Sequence, residues 1–127
     1  MTPDWQIRSE AAAAAIAAGL SDLSAHPELA ERVRAVHAER RGATASSWGA
    51  IDAAVKEAGR MDVLSLAMRQ IGAASDALGL DKHLRFAAYD AIYAAVGVDL
   101  VGLELVSPLR APWVSVFGSS APGALDR

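Results

Sequence analysis

A chain of 127 residues with a net charge of −3 and no cysteine is one domain's worth of polypeptide. Disulfides, thiolate catalysis and Cys-based zinc sites are excluded, and the mild acidity offers no basic face for nucleic acid. Apolar residues make up 53% of the chain but aromatic ones only 6%, with alanine supplying much of the difference. Small side chains bury little area each, so the core rests on many close contacts or borrows area from a partner subunit.

Thr2-Pro3-Asp4 reads as a helix start. Thr2 can cap, Pro3 suits the first helical position, and Asp4 suits the positive end of the dipole. Trp5, Ala12, Ile16 and Leu20 share one face, and Ala11 to Ala15 have the highest helix propensity available. The helix ends at Gly19 or runs on to Leu23. Asp4 and Glu10 against a single Arg8, and the scarcity of leucine, make the alanine run a poor secretory signal. The expected location is cytoplasmic. Arginine far outnumbers lysine, which with the alanine content suggests a GC-rich, bacterial coding sequence.

Pro27 opens a second helix, expected to reach Arg41 and stop at Gly42. Leu29, Val33 and Val36 form its apolar stripe; acids come early and bases late, as the dipole prefers. The pair Arg40-Arg41 can touch phosphate, but a solvated helix end is the simpler reading. Gly42 to Ser47 reads as a loop of small polar residues, with Ser46 or Ser47 capping a third helix. Trp48, Ile51, Val55 and Ala58 form a single stripe closed by Gly59. Asp62 is the expected cap of a fourth helix, in which Leu64, Ala67, Met68, Ile71, Ala74 and Leu78 face inward up to Gly79. The short links make the third, fourth and fifth helices successive neighbours, mostly antiparallel.

Asp81 caps the fifth helix, the least polar of the chain. Leu84, Ala88, Ala91 or Ile92, Ala95 and Val98 form one apolar stripe; Phe86, Tyr89, Tyr93, Val96 and Leu100 form another. A helix apolar nearly all round is buried on both sides or meets a second chain. Asp90, Asp99 and Glu104 argue against a membrane span. Either Gly97 or Gly102 can end this helix. Beyond it, Pro108 and Pro112 exclude a regular helix through them. Leu103, Leu105 and Val106 can be extended, and a short helix can begin at Ser107-Pro108 or at Pro112 and end at Gly118. Trp113, Val114, Val116 and Phe117 are too apolar to lie free. The expected fold is all-α: a compact bundle of about five helices in a single domain, residues 1–118, with a hydrophobic, proline-containing C-terminal arm. Residues 119–127 have the composition of a disordered tail.

Asp90 is the sharpest candidate for chemistry, a carboxylate between Tyr89 and Tyr93 in an apolar helix. It pairs with an arginine such as Arg60, Arg69 or Arg85, lies on the one wet edge of the helix, or is a pocket acid able to give or take a proton. Tyr89, Tyr93 and Trp48 can line a small-molecule cavity around it, with Asp90, Tyr89 and Tyr93 as catalytic candidates. Aromatics at helical spacing are more often core or interface. Asp99 and Glu104, near the helix end, are expected to be exposed.

His26, His37 and His83 have no metal-pairing neighbour at i+3 or i+4, and no metal or cofactor is expected. No dinucleotide-binding, P-loop or nucleophile-elbow motif is present. Glu57 to Leu78 has a helix-turn-helix outline, but Arg60 and Arg69 are its only bases. The leading expectation is therefore a binding protein that forms a homo-oligomer or meets a protein partner, with no nucleic acid or membrane involved. Phe86, Tyr89, Tyr93, Val96, Leu100, Trp113 and Phe117 are its expected contacts. The alternative is a small helical enzyme or ligand-binding protein using Asp90.

Overall fold

Short breaks at glycine and at capping residues divide the chain into six helices in a computed structural model that describes residues 1–118 and 121. They are α1 (Asp4–Ala25), α2 (Pro27–Glu39), α3 (Arg41–Glu57), α4 (Met61–Ala77), α5 (Lys82–Val101) and α6 (Leu103–Phe117). No strand occurs among the described residues. The expected all-α bundle is what forms, with one helix more than the sequence suggested.

Several boundaries fall where local chemistry puts them. Pro27 is the first residue of α2. The Asp81 carboxylate accepts from the backbone N–H of His83 at 3.0 Å and of Leu84 at 3.1 Å, capping α5. At the end of α3 the Arg60 N–H bonds Val55 O and the Gly59 N–H bonds Lys56 O; Leu80 and Gly79 repeat the pattern at the end of α4. This is the double closure that a left-handed glycine permits. Gly102, at φ 88°, ends α5. Gly97 instead lies within α5, facing α3.

Other boundaries differ. α2 stops at Glu39, and α3 begins at Arg41, so the expected loop from Gly42 to Ser47 is helical. Thr44 and Ser47 are buried there, and packing overrides the turn preference of small polar residues. Neither serine caps α3, and Asp62 lies in the first turn of α4, whose N-cap is Arg60. Ser46 is exposed. The first cap likewise falls to Pro3 rather than Thr2.

The largest correction concerns the C-terminal arm, which is the helix α6 with Pro108 and Pro112 inside it. Each proline removes one i→i−4 bond. Burial holds the segment helical all the same: Val106, Leu109, Pro112 and Trp113 form one inward stripe, against α5, α2 and α3. The proposed tail lies outside the described residues, apart from Ala121.

The bundle is organised about α5, which packs against each of the other helices. Every residue from Ala87 to Val98 except Tyr89 is buried. The third and fourth helices are not the neighbours that their short link implied; each packs on α5. Alanine and glycine let the helices approach. A Cβ added at Gly97 would come within 2.7 Å of Ile51 Cγ2, itself fully buried. Gly97→Ala is therefore expected to destabilise by about 1–2 kcal/mol, overpacking outweighing the gain in helix propensity. Gly49, mid-helix in α3 with nothing within 4 Å of such an atom, is the contrast. Gly49→Ala should stabilise by about 0.5–1 kcal/mol. Urea unfolding of the two variants reads both signs.

Candidate functional site

Asp90 sits on the third turn of α5, at 4% exposure. None of the arginines expected to neutralise it does so: Arg60 pairs with Asp99 and Arg85 with Asp76. The partners of Asp90 come from α3 and α2. Trp48 donates its indole N–H to Oδ1. His37 places Nε2 3.3 Å from Oδ2, with 12% of the imidazole side chain exposed. Both carboxylate oxygens are thus engaged, which is what a buried carboxylate requires.

An open cleft of about 300 Å³ lies over this group. α2 contributes His37 to its lining; α3 contributes Arg41, Thr44, Ala45 and Trp48; α5 contributes Phe86, Tyr89 and Asp90. The α3 residues recur at i, i+3, i+4 and i+7, so the first two turns of that helix form one wall. Had this segment been the expected loop, the wall would not exist.

The tyrosines divide differently from expectation. Tyr89 lines the cleft, but its hydroxyl abuts Gly72 on α4, where an added Cβ would come within 2.9 Å of it. Tyr93 stacks on Trp48, with ring centroids 3.8 Å apart, and its hydroxyl donates to Asp52 at 3.4 Å. Burial and the adjacent Asp52 carboxylate push the Tyr93 phenol up to about 12, so it remains a neutral donor at ordinary pH. Tyr93 thus supports Trp48 from behind, and neither tyrosine hydroxyl is recorded as bonding Asp90. The polar companions of Asp90 are an indole and an imidazole. His37 escaped the sequence reading because its partner lies on another helix. A signal existed: His37 follows Val33 by four residues, on the inward stripe of α2.

The expected interface residues also separate. Tyr93, Val96 and Trp113 are buried within the chain, Tyr89 and Phe117 are half-buried, and Phe86 and Leu100 are exposed. Glu104 is exposed as expected. Asp99 is exposed too, as expected, but it is not loose. Arg60 grips both its oxygens at 2.8 and 3.0 Å, and Arg8 donates to Oδ1 at 2.8 Å. Arg60 also donates to Val96 O and lies 4.4 Å from the centre of the Trp5 ring. Arg8 donates to Ala95 O. The last turn of α5 has no base of its own, and these two arginines from α1 and the start of α4 supply the positive charge its carbonyls favour.

A larger concavity of about 570 Å³ runs between α1 and α4, floored by Ala13, Ala14, Ala17 and Ala67. Its polar rim residues Gln6 and Glu10 bond each other, and the buried Ser9 hydroxyl bonds Trp5 O. It contains no histidine or arginine, so size and chemistry fall in different places; the smaller cleft holds the chemistry. No group of three or more His, Asp or Glu side chains able to hold a metal occurs among the described residues. Within the same residues, no helix is long and apolar enough to cross a membrane.

Compared with family models, characterised proteins and solved structures, the chain matches none. What fold and site define together is a class: an all-α six-helix bundle with a histidine–carboxylate pair at the base of an aromatic cleft.

Proposed function

We propose that this protein binds a small molecule in the cleft among α2, α3 and α5, with Asp90 and His37 as its polar base. One observation carries the reading: a buried carboxylate within the most deeply buried helix is met by Trp48 and His37 beneath an opening, rather than sealed against an arginine. A carboxylate whose role is purely structural is more simply balanced by a guanidinium, as Asp99 is here. A carboxylate beside an imidazole orients the ring, the arrangement used in proton transfer. Binding is the minimal reading, and proton transfer is the chemistry the pair would add. The volume lies at the lower end of the range typical of small-molecule sites.

Asp90→Asn tests this. The amide keeps the shape and can still accept from Trp48, but it abolishes the charge facing His37. The expected result is a variant that unfolds within about 1–2 kcal/mol of the parent. It should also lose any small molecule that native mass spectrometry detects on the parent purified from its own cells. A variant that fails to fold, or that retains the same molecule, would remove Asp90 from the binding role.

Self-association through α5 and α6 draws less support. Of the expected contacts, Tyr93, Val96 and Trp113 are spent inside the chain, and Phe86 forms a wall of the cleft. Exposed Leu100, Leu103 and Val114 are what remains to favour it. Light scattering at high concentration separates the two readings.

A further inference from the structure

Which molecule the cleft prefers follows from which of its charged groups are already satisfied. Asp90 has both oxygens engaged, by the Trp48 indole and the His37 imidazole. A cationic ligand would have to reach past the indole and the imidazole to a residue only 4% exposed. Arg41 is in the opposite condition. It lines the same cleft, is exposed, and has no ion pair or side-chain hydrogen bond among the described residues. No acidic residue lies in the first turn of α3 to offset it. Asp90 is the one carboxylate among the residues that line the cleft. The uncompensated group in the cleft is therefore a guanidinium. It lines the cleft with Phe86, Tyr89 and Trp48, and Phe86 is 47% exposed although it sits on the most deeply buried helix.

Resting on the small-molecule reading above, we infer that the preferred ligand is a small aromatic carboxylate, its ring against Phe86, Tyr89 and Trp48 and its carboxylate on Arg41. A planar guanidinium matches a carboxylate with two parallel N–H···O bonds, which a neutral or cationic analogue cannot accept. The aromatic walls supply apolar contact area that a bare inorganic anion cannot use.

The probes are benzoate, benzyl alcohol and benzylamine, titrated into the full chain at constant ionic strength. The readout is the Trp48 indole N–H resonance, assigned by its loss in Trp48→Phe. Benzoate is expected to shift it saturably and to bind at least about tenfold more tightly than benzyl alcohol. Arg41→Gln should remove that preference while leaving benzyl alcohol binding unchanged. Arg40→Gln, one residue outside the cleft, should change neither. Equal binding of benzoate and benzyl alcohol, or tighter binding of benzylamine, would overturn the anionic preference and leave the small-molecule reading standing. So would an unaltered benzoate affinity in Arg41→Gln. A resonance unmoved by all three probes would overturn this inference and count against the cleft as a binding site.

Discussion

Trp113→Ala is expected to cost about 3–5 kcal/mol, the largest loss from any single side chain in this protein. Trp113 is the bulkiest of the fully buried side chains. Its N–H donates to Ala87 O at 2.9 Å, tying α6 to α5, and its ring stacks on Phe117 with centroids 5.3 Å apart. Across the ring lies Gly19 of α1, so close that a Cβ there would meet the indole at 2.5 Å. Alanine would leave a cavity among three helices. Trp113→Phe keeps most of the ring volume and loses the hydrogen bond, so it should cost about 1–2 kcal/mol. Urea unfolding measures both; equal costs would mean that the hydrogen bond rather than the ring volume holds the helix down.

The second large effect is at Asp99. Asp99→Ala leaves Arg60, whose side chain is 9% exposed, with a charge that only Val96 O and the Trp5 ring then face. Removing one partner of a buried pair typically costs 3–5 kcal/mol. Asp99 itself is one-third exposed, and solvent screening places the expected loss nearer about 2–3 kcal/mol. The same contact makes stability depend on acidity. The hydrogen bonds from Arg60 hold the Asp99 carboxyl below the usual carboxylate value of 3.8, with the charges of Arg8 and Arg60 assisting against the opposing effect of burial. A depressed folded value means that the contribution is fully present above the unfolded value and is lost as pH falls through the folded one. Parent protein should lose stability below about pH 4. Asp99→Asn, already weakened at neutral pH, should show a shallower acid limb. Parallel acid limbs in thermal melts would sink the assignment.

Much of the architecture was legible because its signals are local. Gly59, Gly79 and Asp81 act within a turn or two of themselves, and their roles could be read from neighbouring residues. The apolar girth of α5 announced burial on every side, although the sequence left open whether the cover was the same chain or another. Two segments misled. Gly42 to Ser47 carries turn chemistry, and Pro108 with Pro112 carries helix-breaking chemistry, yet both are helical because Thr44, Ser47, Val106, Leu109 and Trp113 are buried. Tertiary contact outweighed local preference in each case.

The candidate site was legible only at its centre. Asp90 stood out as a lone charge in apolar surroundings. Trp48 was legible as part of a cavity around it, but its hydrogen bond to Asp90 from 42 residues away and the approach of His37 from another helix follow no spacing rule. The sequence supplied arginine and tyrosine partners for Asp90 from ordinary pairing chemistry. Geometry committed Arg60 to Asp99, Arg85 to Asp76 and Tyr93 to Asp52.

The position of α5 in the chain governs how the nascent protein matures. The helix on which every other one packs is fifth in order of synthesis, so the first four leave the ribosome before their common support exists. Until then α1 can find α4 and α2, but the faces that α3 and α4 turn to α5 wait uncovered, for a time on the order of seconds at ordinary elongation rates. Productive folding is thus delayed until α5 has been made, and shielding by chaperones matters most in that interval.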